Sequence, residues 1–185
     1  MPSLDRRRDA AILGAAHRAR AEAFGIEGDR TARAAQIGQL FDERYRPAHH
    51  VPDDVIPTLR RLHALGYKVG LVSNRDEPLE AVVAELGLAD FFLFTLSAGQ
   101  AESFKPDRPI FLKALALAGC PPETTVYVGD NYYADVEGAR AAGMLPILID
   151  PFGVFPDSGC PVIRSLGELE AALNQLSAPE AALGD

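Results

Sequence analysis

Val126-Tyr127-Val128 is an apolar run that stops at Gly129, and two carboxylates, Asp130 and Asp135, follow five residues apart. Ligands bind in open α/β sheets in the crevice outside the carboxyl ends of the strands. Carboxylate oxygens placed there suit a hard cation such as Mg²⁺, which often bridges to a phosphate. One Asp at a strand end can serve as a helix N-cap. Two of them, after a Gly that permits a tight turn, are harder to explain by capping alone.

Two other short stretches carry polar chemistry at the ends of apolar runs. Leu71-Val72 leads into Ser73-Asn74. A hydroxyl and backbone N–H groups at such a turn can hold the oxygens of an anion, although Ser-Asn is also ordinary turn chemistry. Lys105-Pro106-Asp107 contains one of only three lysines in the chain. A residue before Pro is extended or in a turn, and its ammonium can reach a phosphate as a compact point charge. Taken alone, Lys105 also reads as a surface lysine, and Asp107 as the cap of the helix that follows.

The elements that must position these residues follow from periodicity. Helical spacing over about 5–24 and 30–45, separated by Gly25 and Gly28, predicts an all-helical opening, closed by Pro47 and Pro52. Asp53 or Asp54 can cap a helix running to about Leu65, ended by Gly66. Strands are expected at 68–74, 91–96, 124–128 and 145–149, and helices at about 78–86, 109–118, 134–142 and 166–176. Pro146 inside the last strand suggests an edge position. Strands alternating with helices of this length imply an α/β fold, a parallel sheet with helices on both faces. The expected domains are a helical region at 1–48, an α/β core at 49–177 and a tail at 178–185.

In this order, on successive strand ends, the three polar stretches resemble the motifs of the haloacid dehalogenase superfamily of phosphohydrolases. Leu71-Val72-Ser73-Asn74 is similar to its second motif, Lys105-Pro106-Asp107 to its third, and Gly129-Asp130-Asn131-Tyr132-Tyr133-Ala134-Asp135 to its fourth. Gly138-Ala139-Arg140-Ala141-Ala142-Gly143-Met144 continues as such proteins do. The resemblance spans about 52–176 and implies a Rossmannoid core with a small helical cap at the N-terminus. It also implies roles. Ser73, with the backbone at Asn74, would bind the phosphoryl group. Lys105 would neutralise charge on the nucleophile and phosphoryl oxygens. Asp130 would help to hold Mg²⁺, and Asp135 would support that site or orient Lys105. Positioning and electrostatic stabilisation of this kind are the main needs of phosphoryl transfer. Retention of Gly129-Asp130 favours a metal-dependent phosphatase of small phosphorylated metabolites over a dehalogenase.

The first motif of that family, an apolar strand ending in Asp-x-Asp, is missing. Asp5, Asp9, Asp29 and the Asp53-Asp54 pair precede Ser73, and none ends an apolar strand in that pattern. No residue is therefore placed to form the aspartyl phosphate, and Mg²⁺ binding is expected to be weak or absent in this chain. The family's first strand lies between the strands ending at Ser73 and Asp130, so these must pair directly or leave a gap with backbone groups in need of partners. A start placed too far downstream, or a fragment of a longer gene, is the leading expectation. A pseudoenzyme that binds a phosphorylated ligand or a protein comes second, and a strand supplied by another chain third.

The bulk numbers exclude other classes. The net charge of −8 offers no basic face to nucleic acid, and Arg6-Arg7-Arg8 reads as a solvated helix face. Cys120 and Cys160 lack metal-ligand spacing and read as free thiols of a reducing compartment. No apolar run is long enough to span a bilayer, and no h-region follows the N-terminal arginines, so the expected location is cytoplasmic. His49-His50 reads as linker rather than metal site. Tyr132-Tyr133 suits either a substrate mouth or packing against the cap.

Overall fold

The computed structural model describes residues 50–177. The helical region expected at 1–48, the early aspartates and the tail at 178–185 lie outside the described residues. No described helix is long and apolar enough to cross a membrane.

The described chain alternates strands and helices. In chain order these are α1 (Val55–Ala64), β1 (Gly70–Ser73), α2 (Glu80–Glu85), β2 (Phe94–Ser97), α3 (Ala98–Ala101), α4 (Arg108–Ala118), β3 (Val126–Gly129), α5 (Glu137–Ala141), β4 (Leu145–Ile149), β5 (Val162–Ile163) and α6 (Leu169–Ser177). All strand pairs are parallel. Each helix-to-strand return needs an abrupt stop. Gly66 after α1 and Gly119 after α4 supply it, with φ of 81° and 60°, values that cost an L side chain more than glycine.

Period-2 alternation sends the side chains to two cores. From β3, Tyr127 packs with Phe111 and Ile110 of α4 and Ala139 of α5, joined by Leu96 of β2 and Val72 of β1. Val126 and Val128 turn to the opposite face, against Leu62 of α1, Ile147 of β4, Ile163 of β5 and Leu173 of α6. A third cluster sets Leu59 of α1 and Val83 of α2 against Leu71 of β1. Helices thus cover both faces, as expected for this fold class.

Among the described residues the sheet is not continuous. β1 pairs with β2, and β3, β4 and β5 form a second sheet in that order. Of the two outcomes open to the chain, pairing β1 directly with β3 or leaving a gap, the described strands take the second. β1 and β3 each have a partner on one side only among the described residues. Leu71, Val72, Val126 and Val128 are accordingly only half-buried, although helices pack above and below them.

Several local expectations are corrected. Pro146 is not on an edge strand: β4 lies between β3 and β5. Leu145 N–H bonds to the Thr125 carbonyl of the β3 side, and Leu148 N–H bonds to the Pro161 carbonyl of the β5 side. Amide directions alternate along a strand, so the Pro146 nitrogen faces the β5 side, where ladder pairing begins only at Leu148 with Val162. The missing N–H therefore costs nothing. β5 itself, two residues long, was not expected. Residues 89–91 form a 3₁₀ turn, so the second strand starts at Phe94 rather than Phe91. Asp54 and Asp107 occupy N-cap positions but make no side-chain capping bond. Asp54 instead accepts from Gly167 N–H at 2.9 Å, tying α1 to the turn before α6.

Candidate functional site

The carboxyl ends of β1 and β3 and the loop before α4 meet through side chains. Ser73 ends β1 and is in register with Ser97 at the end of β2. Asn74 follows and reaches across 31 positions of chain. Its Oδ1 accepts from Lys105 N–H at 2.7 Å, and its Nδ2 donates to the Lys105 carbonyl at 3.0 Å. The backbone N–H must donate and the carbonyl must accept, so the orientation of the Asn74 amide is fixed by its partner.

From that anchored backbone, the Lys105 side chain runs inward. Its Nζ donates to Asp135 Oδ1 at 2.7 Å, and the two side chains are only 12% and 4% exposed. The ammonium also lies 5.6 Å from the centroid of the Tyr127 ring, within cation–π range. Tyr127 is buried beside Phe111. Burial, and secondarily the negative charge of Asp135, push its phenol above its ordinary pKa, keeping it neutral.

Asp135 reaches Lys105 because of the turn that carries it. Residues Tyr132–Val136 form a π-helical turn, with Asn131 at its N-cap position accepting from Ala134 N–H at 3.0 Å. Single π turns are frequent at functional sites. This one directs Asp135 inward, where its second oxygen, Oδ2, accepts from Asn131 N–H at 3.0 Å. Gly129 makes room: a β-carbon there would overlap the Asp135 carboxylate.

The five expected site residues thus divide. Asn74, Lys105 and Asp135 are joined directly. Ser73 stands at the strand end beside them, half-buried. Asp130 is exposed and lies outside the bonded group. The Asp130 and Asp135 pair is a poor fit for Mg²⁺. Both Asp135 oxygens are already engaged, one by an ammonium, and no three potential metal ligands converge among the described residues. Asp130 alone would supply one carboxylate, fewer than a hard cation draws from protein and substrate together. No chemical step is therefore assigned to a metal held by these residues.

Sequence reasoning missed three contributors. Asn131 and the side chain of Asn74 act through contacts between distant or turn positions, for which a single sequence gives no signal. Asp150 is the third. It is buried just past β4, and hydrogen bonds from the backbone N–H groups of Phe155, Val154, Phe152 and Gly153 hold its carboxyl below the usual range. The loop it organises presents Phe155, stacked on Tyr132 with centroids 5.1 Å apart. Tyr133 and Phe152 stand 69% and 89% exposed beside this stack in the chain. A carboxylate ending an apolar strand at Ile149-Asp150 was a visible signal of the same kind as Gly129-Asp130. A surface groove of about 420 Å³ lies elsewhere, between α1 and α6, lined by Arg61, Leu62 and Glu170.

Comparison with known proteins places the chain in a family. A family model described as haloacid dehalogenase-like hydrolase matches residues 5–143. The human haloacid dehalogenase-like hydrolase domain-containing protein 3 is 34% identical over 161 residues, covering 84% of this chain and 62% of that protein. A glyceraldehyde 3-phosphate phosphatase of Methanopyrus kandleri is 34% identical over 118 residues, 63% of this chain and 50% of the relative. The chain therefore spans less than two thirds of either. Among solved structures, a phosphatase of the same superfamily from Thermococcus onnurineus superposes with a TM-score of 0.67 at 25% identity, covering 88% of each chain.

Proposed function

The chain belongs to the haloacid dehalogenase-like hydrolase family, and from that premise we propose that it carries the phosphoryl-binding and charge-neutralising part of a phosphomonoester hydrolase. The observation that carries this reading is the Asn74–Lys105–Asp135 connection. It sets a largely buried ammonium, the natural partner of a phosphoryl oxygen, on a loop tied to the strand end that bears Ser73. Ser73 and the Asn74 backbone then bind the phosphoryl group, and Lys105 compensates the charge that develops on it. The phosphatase among the relatives supports a small phosphorylated metabolite as ligand. Residues 1–48 are assigned to a cap region that selects it.

Hydrolysis through an aspartyl phosphate needs a nucleophilic carboxylate that this sequence does not contain in Asp-x-Asp form. This chain is therefore expected to show no phosphatase turnover. Mg²⁺ dependence belongs to a site completed by an Asp-x-Asp strand, not to Asp130 and Asp135 by themselves. An assay of this exact chain with Mg²⁺ on a panel of phosphate esters tests the claim. Metal-dependent turnover abolished by Asp130→Ala would overturn the inactivity. A protein extended upstream by an apolar strand ending in Asp-x-Asp should gain activity, and its inertness on the same panel would remove the hydrolase reading.

A second reading, a non-catalytic binder of phosphorylated ligands, is favoured by one observation. Lys105 is held by Asp135, while Asp130 is the one carboxylate of the expected metal pair left unengaged. It predicts a cooperative thermal transition that rises with added phosphate by ligand linkage. An unchanged transition across phosphate-bearing ligands would eliminate it.

A further inference from the structure

We propose that Asn74 is a positioning residue: its side chain, not only its backbone, places the Lys105 ammonium by clamping the Lys105 peptide. This deepens the phosphoryl-site reading above, on which it rests for its functional meaning. Lysine side chains carry four flexible torsions, so a lysine at a loop position is a loose point charge unless both of its ends are held. Here the head is held by Asp135 and the root by Asn74. The two Asn74 bonds fix the N–H and C=O of the same residue. They therefore restrain where the side chain starts as well as how far the loop sits from β1.

The clamp also spans the discontinuity in the sheet. β1 and β3 share no ladder, yet a chain of polar contacts runs from Asn74 at the end of β1, through Lys105, to Asp135 and on to Asn131 after β3. If Asn74 lets go, the root of Lys105 is free to shift, and the ammonium no longer keeps one place relative to Tyr127 and Ser73. The expected loss is registry between the anion-binding hydroxyl and the cation, rather than loss of the fold.

The structure supplies a spectroscopic marker of the ammonium's place. Lys105 Nζ sits 5.6 Å from the Tyr127 ring centroid, so its ε-methylene protons should carry a ring-current shift relative to Lys68 and Lys113. NMR of the full chain should show that shift in the wild type. Asp135→Asn, which frees the head, should lose it, and Asn74→Ala should lose much of it. Asn74→Asp keeps an acceptor for Lys105 N–H and should retain more of it than Asn74→Ala; it also serves as the second variant should the alanine form fail to fold. An ε-methylene shift unchanged in both Asn74 variants while Asp135→Asn moves it overturns the proposal, as does a wild type with no shift at all. Titration with inorganic phosphate, followed by amide shifts at Ser73 and Lys105, reads the other premise separately. Asn74→Ala should weaken binding about tenfold, the equivalent of one charge-assisted hydrogen bond. Failure of wild-type chain to bind phosphate, with the ring-current result intact, would remove the phosphoryl-site reading and leave the clamp standing. Wild-type affinity in Asn74→Ala would show that the clamp does not serve the anion site.

Discussion

The Asp135 carboxylate rests on the backbone of Gly129, so closely that a β-carbon at position 129 would overlap it. Gly129 also ends β3, where it is in register with Leu148. The glycine is therefore required by a side chain six positions further on as well as by any turn. Gly129→Ala should destabilise the chain by about 1–3 kcal/mol, the usual cost of overpacking. The cause can be isolated by a double-mutant cycle in urea. In an Asp135→Gly background the same alanine should cost markedly less, because the Asp135 Cβ, Cγ and Oδ2 atoms it strikes are gone. Equal costs in the two backgrounds would place the conflict elsewhere.

The two aspartates of the opening motif should part company on mutation. Asp135 pairs with Lys105 in a nearly closed environment. Asp135→Ala leaves an ammonium without its partner, and loss of one member of a buried pair typically costs ~3–5 kcal/mol. Asp130 is exposed, and Asp130→Asn should stay within about 0.5 kcal/mol of wild type. Denaturation midpoints of the two variants, measured side by side without metal, check this. Similar losses would mean that Asp130 also has a structural partner.

Asp150 predicts a pH dependence. Its carboxyl is lowered by backbone hydrogen bonds from Phe155, Val154, Phe152 and Gly153. A group whose folded pKa is depressed contributes stability that is present above the unfolded value, about 3.9 for Asp, and lost as pH falls through the lower folded value. Asp150→Asn should therefore be less stable than wild type at neutral pH, with the difference shrinking below about pH 4. Urea titrations at a series of pH values measure the gap. A difference that is constant down to strong acid would show that the charge of Asp150 is not what organises the loop.

Asp54 shows how an apparent capping residue can serve tertiary structure. Its carboxylate accepts from Gly167 N–H, close to where Thr58 Oγ1 bonds to the Leu166 carbonyl. Asp54→Ala should cost about 1 kcal/mol, the net worth of one such bond. Hydrogen exchange should become faster at the Gly167 amide, with α1 itself little changed. Fraying confined to the first turn of α1 would instead indicate ordinary capping.

The parts of the fold read most directly from sequence are those written in local pattern. Val126-Tyr127-Val128 ending at Gly129 marked both a strand and where it stops, because an apolar run and a glycine are adjacent signals. The glycines after α1 and α4 marked helix ends for the same reason. Spacing alone does not separate Asp130 from Asp135, two aspartates in one short segment; only the family resemblance set them apart, giving Asp130 to the metal and letting Asp135 support that site or orient Lys105. The π-helical turn that carries Asp135 left no signal in the sequence. The Asn74–Lys105 clamp was equally silent, since its members are 31 positions apart and neither residue type implies the other. β5 is too short for any alternation to show.

Pro146 has a consequence for the second sheet that reaches beyond its own position. A strand pairing in parallel with β4 on that side finds its first usable donor at Leu148, because the preceding inward nitrogen is an imide with no hydrogen. Sliding β5 two residues toward the start of β4 would aim a carbonyl at that nitrogen and forfeit a bond. A slip of one residue would turn Ile163, now buried, to the opposite face. Two residues are normally too few to define their own alignment. Here the neighbour's proline blocks one direction of travel and the buried isoleucine penalises odd steps, so the shortest of the described strands takes its alignment from the strand beside it.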